Sequence, residues 1–182
     1  MRRSVSLIVA IFSVVCLTSS LASAQEGFTN GGADIGGVIS VGGLAGAGTG
    51  FGGRFEMGVK DLPSLGDGVL GVGVAVDRYS WSETYLTSSY GGSYMPISVT
   101  ANYHFHLDNK KIDPFLGLGF GDLIVNTTCN ISGYNCGGGA ASGIYFVGHA
   151  GIRYYMTEKL ALFADAGSGY GNLHVGVVFK IK

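Results

Sequence analysis

The sequence predicts an all-β chain: an eight-stranded antiparallel up-and-down transmembrane β-barrel, preceded by a cleaved signal peptide. Three observations carry the prediction. Apolar and polar residues alternate with a period of two in eight separate segments, the signature of strands with two unlike faces. Charged residues make up only 13% of the chain, against about 25% in an ordinary soluble domain. Glycine is abundant, 33 of 182 residues and none before Gly27, yet beyond the first residues no unbroken apolar run of eighteen offers a transmembrane helix.

The opening residues form a separate element. Arg2 and Arg3 give a positive start, Val5 to Leu17 is apolar but short, and Ala22-Ser23-Ala24 supplies a small-x-small site. This is the pattern of a secretory signal peptide cleaved after Ala24. Cys16 follows Val15, a residue too large for lipoprotein processing. The expected organisation is a signal peptide over 1–24 and one barrel domain over 25–182. That domain has 182 less 24, or 158 residues, with nine basic against twelve acidic side chains. Such a balance excludes the basic surface that nucleic acid requires.

The strands follow in order. "ADIGGVISVGG" is the faintest, with Ile35, Ile39 and Val41 against Asp34 and Ser40. "FGGRFEMGV" sets Phe51, Phe55, Met57 and Val59 against Arg54 and Glu56. "LGVGVAVDRY" sets Leu70, Val72, Val74 and Val76 against Gly71, Gly73, Ala75 and Asp77. The clearest alternation runs from Ile97 to Leu107, with Ser98, Thr100, Asn102, His104 and His106 on the second face. "PFLGLGFG" alternates Leu116, Leu118 and Phe120 with glycine. "IYFVGHAGIRYY" puts His149 and Arg153 opposite Ile144, Phe146 and Ile152, and "LALFADA" puts Asp165 opposite Leu160 and Leu162. The last segment interleaves Leu173, Val175, Val177, Phe179 and Ile181 with His174, Gly176 and Lys180. Segments of about nine to twelve residues suit tilted strands in a bilayer.

Which face points outward follows from composition. A soluble lipocalin-like barrel would also have eight strands, with its apolar face inside. Here the second face carries too few charges to dress a water-exposed exterior. The apolar face therefore meets lipid and the second face lines a narrow lumen. Closure is required there, because an open edge in lipid leaves backbone groups unpaired. Two aromatic groups fit interfacial girdles: Tyr79, Trp81, Tyr85, Tyr90, Tyr94, Tyr145 and Tyr170 at one set of strand ends, Tyr103, Phe105, Phe115, Tyr154, Tyr155 and Phe179 at the other. "KDLPSLGDG", "LDNKKID" and "MTEK" read as short turns, Ser80 to Ser93 and Asn126 to Ser142 as long loops.

"HVGVVFKI" resembles the C-terminal targeting signal of bacterial outer-membrane barrels, with His174, Gly176, Phe179 and Ile181 in the signal positions and Lys182 added beyond it. "GGRFEMG", "YHFHLDNKKIDPFLGLGFG" and "GIRYYMTEKLALFADAG" are similar to the strand-turn-strand repeats of small OmpA-like outer-membrane β-barrels, porin-family-like in architecture. The resemblance implies the outer membrane of a Gram-negative cell, both termini in the periplasm, and the two long loops outside. It implies lipid bilayer and lipopolysaccharide as surroundings, recognition of the C-terminal strand by the barrel-assembly machinery, and a monomer.

Candidate sites divide into four. Cys129 and Cys136, the two cysteines beyond the signal peptide, are expected to form a disulfide in an exported chain. Asp34, Arg54, Glu56, Asp77, Arg153, Asp165 and Lys180, with His104, His149 and His174, should line the lumen, where buried charges must pair. The expected pairs are Asp34 with Lys180, Arg54 with Asp77 and Glu56 with Arg153. Lumen glycines such as Gly71, Gly73, Gly117, Gly119 and Gly121 suggest water-filled space. Trp81, Tyr85 and Tyr90 are candidates for binding in an outer loop. The pair His104 and His106 shares one strand face but lacks a third ligand, so no metal site is expected. Ser88, Ser89 and Ser93 have no histidine nearby in the pattern and "GSGYGNLH" holds no nucleophile elbow, so neither catalysis nor a cofactor is expected. The expected role is structural or surface-interacting. The alternatives are a narrow diffusion pore for small solutes, and a surface adhesin or ligand-binding barrel.

Overall fold

A computed structural model describes residues 27–42, 48–85, 88–130, 143–169 and 171–182, without the side chains of 83–85, 88–90 and 127–130. The signal peptide, Cys136 and Tyr170 lie outside the described residues, and the side chains of Tyr85, Tyr90 and Cys129 outside the description.

Eight antiparallel strands close into one barrel in sequence order. They are β1 (Ala33–Val41), β2 (Thr49–Leu62), β3 (Gly68–Tyr85), β4 (Ser88–His104), β5 (Ile112–Asn130), β6 (Ile144–Tyr155), β7 (Leu160–Ser168) and β8 (Leu173–Lys180). The barrel closes where β8 meets β1, with Lys180 opposite Asp34 and His174 opposite Ser40. The three expected short turns and both ends of the described chain lie at one end, called here the terminal end. At the β2–β3 turn a single 3-10 turn, Pro63–Leu65, leads into Gly66 at φ 88° and Asp67 at φ 57°. Glycine adopts that left-handed conformation without steric cost, which lets the chain reverse.

Strand lengths depart from expectation. β1, β7 and β8 have 9, 9 and 8 residues, whereas β3, β4 and β5 have 18, 17 and 19. The segments expected to become outer loops at Ser80 and Asn126 instead continue as paired sheet. Ser80 to Tyr85 pairs with Ser93 to Ser88, and Tyr90 to Ser93 with Cys129 to Asn126. Tyr, Trp and Thr suit extended backbone, and a ladder satisfies their N–H and C=O groups beyond any bilayer. Trp81 stands opposite Gly92 and its ring occupies the space a Cβ there would fill.

The two faces separate as expected. Leu118 (63% exposed), Phe120 (65%) and Phe146 (67%) belong to an apolar belt that runs round the outside. Such a belt marks a surface made for an apolar surrounding. Tyr103, Phe105, Tyr154 and Phe179 stay on the outward side near the terminal end. The girdle assignment fails for six others. Tyr79, Tyr94, Phe115 and Tyr155 are buried in the barrel, and Trp81 and Tyr145 pack partly buried against the first two. Strand parity explains this. Phe115 precedes outward Leu116 and Tyr155 follows outward Tyr154, so alternation turns both inward.

Candidate functional site: the lumen and its two ends

The inward face of each strand contributes to a continuous network. At its terminal end Arg153, on β6, is 2% exposed and donates to Asp34 of β1 at 2.8 Å. Its other terminal nitrogen bonds Glu56 of β2, and Asp113 of β5 lies 3.8 Å away. Its guanidinium also sits 4.8 Å from the Phe28 ring centre and 5.5 Å from that of Phe115, positions that suit a desolvated cation. His104, at the end of β4, approaches Glu56 with Nε2 and Asp113 with Nδ1, each at 2.8 Å.

The network continues toward the far end. Asn102 donates to Glu56 Oε1 at 2.8 Å and faces His149 Nε2 at 3.0 Å through its own oxygen. His149 Nδ1 meets Asp165 at 2.9 Å, and the second oxygen of Asp165 meets His174 Nδ1 at 2.5 Å. Beyond lies Asp77, which accepts from Ser40 at 2.7 Å and forms an ion pair with Arg54 at 3.0 Å. The lumen closes above with Tyr79 stacked on Tyr94, ring centres 5.0 Å apart, and with Leu123 and Trp81 packed against them. Val38, Phe115, Tyr155, Ala161, Phe163 and Val178 form an apolar column along one inner wall.

The expected pairs fare differently. Arg54 meets Asp77, and Glu56 meets Arg153. Asp34 and Lys180 are register partners, but Asp34 bonds Arg153 while Lys180 Nζ donates to Gly27 O at 2.9 Å. In the C-terminal strand, His174 and Gly176 face inward, whereas Phe179 and Ile181 are exposed. His104 and His106 part company. The first is buried in the network, and the second is exposed at the mouth beside Lys110. Each ring nitrogen of His104 lies directly against a carboxylate oxygen, so no space for an ion remains between them. Among the described residues no group of three or more His, Cys, Asp and Glu side chains is arranged to hold a metal. Trp81 is on β3 rather than in a loop, with its ring centre 6.1 Å from that of Tyr94.

Most of the lumen glycines are filled by neighbouring side chains rather than open to water. A Cβ at Gly117 would collide with His149 and Asn102, one at Gly71 with Glu56 and Phe28, and one at Gly52 with Asp77. The glycines are where long side chains from neighbouring strands cross the barrel. Among the described residues the lumen holds a cavity of about 60 Å³ bordered in part by Gly73 and Gly167, room for a few waters.

Three contributors escaped the sequence reading. Asp113 shares the inward parity of Phe115 and Gly117, a signal that was available. Asn102 lay on the polar face without being singled out. Phe28 had no signal, because it precedes every strand. Residues 27–32 fold across the terminal end, with Gly31 donating to Gly58 O at 2.9 Å and Gly58 donating to Gly32 O at 2.9 Å. The Phe28 ring then lies on His104 with centres 4.1 Å apart. Outside it opens a vestibule of about 450 Å³ bordered by Asn30, Asp61, Asp67, His106 and Lys110.

No family model and no curated protein matches the chain. Among solved structures it is similar to Ail, the attachment invasion locus protein of Yersinia pestis, in complex with the heparin analogue sucrose octasulfate. The TM-score is 0.51 at 19% identity, over 82% of this chain and 93% of that one. It is likewise similar to the N-terminal β-barrel domain of Pseudomonas aeruginosa OprF, with TM-score 0.50 at 17% identity over 84% and 98%. The strand number, antiparallel order, closure and outward apolar belt, together with these likenesses, give the chain the fold of the small eight-stranded OmpA-like outer-membrane β-barrels.

Proposed function

We propose that this chain is a bacterial outer-membrane protein with a structural and surface-interaction role and no catalysis. Both termini lie in the periplasm, and the protruding β3–β4–β5 sheet stands outside the cell. The carrying observation is the filled lumen. Ion pairs, hydrogen bonds and aromatic rings occupy it from Phe28 to Tyr79, with a cavity of about 60 Å³ among them. A barrel so packed is an anchor rather than a conduit. The part of the chain in excess of an anchor is the sheet that extends beyond the belt on one side.

Lipid and lipopolysaccharide surround the belt, the assembly machinery reads β8, and the barrel works as a monomer. Ail carries a heparin analogue in its described complex, but a polyanion is not the partner that this chain's outer sheet suits. Above the lumen network β3 to β5 bear Arg78, Glu83 and Asp122, one cation against two acids. Tyr, Trp, Ser and Thr dominate there, a mixture suited to adaptable polar and aromatic recognition.

The test has two parts. Replacing residues 82–91 by a two-residue turn should leave heat-modifiable gel migration intact and abolish attachment of expressing cells to their target surface. Attachment that survives this shortening defeats the surface-interaction reading. Purified barrel in a planar bilayer should show no conductance steps. Regular steps would restore the diffusion pore.

A further inference from the structure

We propose that His104 holds a proton as a structural ligand: an imidazolium bridging Glu56 and Asp113 that completes the charge balance of the lumen's terminal end.

The argument rests on donor and acceptor counting. A neutral imidazole has one N–H and one bare nitrogen, whereas the imidazolium donates from both. Both ring nitrogens of His104 lie 2.8 Å from carboxylate oxygens, Nε2 from Glu56 Oε1 and Nδ1 from Asp113 Oδ1. With a neutral ring, one nitrogen lone pair would face a carboxylate lone pair at that distance. No rotation relieves this, because the ring is 2% exposed and held between Phe28 and Phe115, with centres at 4.1 and 5.3 Å.

The surrounding charges point the same way. Facing His104 are Glu56 from β2, Asp113 from β5 and Arg153 from β6. Asp34 from β1 and Lys180 from β8 complete the cluster, and the β3 register partner Val69 carries no charge. Of these, Glu56 and Asp113 are the two carboxylates that touch His104, and Arg153 is the one permanent cation that reaches both. A proton on His104 brings the count to zero, and an uncompensated charge at such depth is strongly destabilising. The extra proton does not belong on Glu56. Its Oε2 takes Arg153 and its Oε1 takes Asn102 as well as His104, so both oxygens are occupied as acceptors. Asp113 meets His104 through Oδ1, and Arg153 lies 3.8 Å from its other oxygen.

Folding then takes up a proton wherever an unfolded histidine, with its ordinary pKa of about 6.5, has already lost one. Stability falls as pH rises across that window, because the folded state binds more protons than the unfolded state.

The decisive measurement is nitrogen NMR of the full barrel, labelled at histidine, in detergent micelles at pH 8. His104 is assigned by the signal lost in His104→Gln. Hydrogens on both ring nitrogens are expected, and one bare nitrogen overturns the proposal. In Glu56→Gln, or in Asp113→Asn should that variant not fold, His104 is expected to be neutral at the same pH. An unchanged imidazolium there would show that the bridge is not what holds the proton. Urea titrations between pH 7 and 8 give an independent readout. The folding constant of the wild type should fall about tenfold more per pH unit than that of His104→Gln, the slope for one linked proton. Parallel slopes overturn the proposal.

Discussion

The two ends of the lumen are sealed by different physics. At the terminal end Arg153 and His104 are held by Asp34, Glu56 and Asp113, drawn from β1, β2 and β5, with Phe28 laid across them. At the far end Tyr79, Tyr94, Trp81 and Leu123 close the barrel by stacking, and all four belong to β3, β4 and β5. The aromatic seal draws these four side chains from three neighbouring strands, with Tyr145 of β6 packed against them and the Tyr79 side chain hydrogen-bonded to Ser40 of β1. The charged seal ties together β1, β2, β4, β5 and β6, so it demands that the whole barrel be closed. Removing one member of a buried charge cluster strands its partners, whereas removing one ring forfeits its burial and leaves a cavity.

This contrast orders the expected effects of substitution. Arg153→Met leaves Asp34, Glu56 and Asp113 without their shared guanidinium and should destabilise the barrel by about 3–5 kcal/mol. Urea unfolding followed through Trp81, the single tryptophan, measures it. Adding Asp34→Asn and Glu56→Gln should restore much of the loss. A triple variant as unstable as the single one would mean that packing, not charge, makes this seal.

Tyr79→Ala removes a ring with no exposed surface, and about 3 kcal/mol is expected from burial and cavity terms. The same titration should show no rescue by neutralising Asp77. Rescue would show that the far seal is electrostatic as well.

Gly117→Ala places a methyl where His149 and Asn102 cross. Overpacking of this kind costs about 1–3 kcal/mol, and gel mobility before and after heating at rising urea reports it. A stabilised variant would mean that the middle of the lumen has free space.

Lys180→Gln tests the rim. Lys180 is partly exposed and its Nζ donates to a backbone oxygen, so less than about 1 kcal/mol should be lost. A loss comparable to that of Arg153→Met would extend the charged seal to the mouth.

Much of this site was legible in the alternation of single strands. Arg54, Glu56, Asp77, Arg153 and Asp165 all fall on the polar parity of their segments, and parity alone directs them to one interior. Residue type misleads where it conflicts with parity. Phe115 and Tyr155 are aromatic and near strand ends, which suggests a girdle, but their neighbours Leu116 and Tyr154 already occupy the outward phase. Serine and glycine around Trp81 suggest a loop, since a loop and a water-exposed hairpin share that composition.

The sequence by itself determined the strand count, the two unlike faces and which of them meets an apolar surrounding. These depend on a period of two within each segment and on the scarcity of charge. Strand heights in the sequence already pointed to Arg54 with Asp77 and Glu56 with Arg153, and the tertiary structure decided the remaining partners. Register set which heights coincide, so that Arg153 also reaches Asp34 while Lys180 Nζ donates to Gly27 O. The fold of residues 27–32 carried Phe28 into the lumen, and close approach across a narrow barrel placed His104 between two carboxylates. Local alternation fixes the side of the wall on which a residue stands, but contacts across a closed barrel depend on shear and on pairing between strands far apart in the chain.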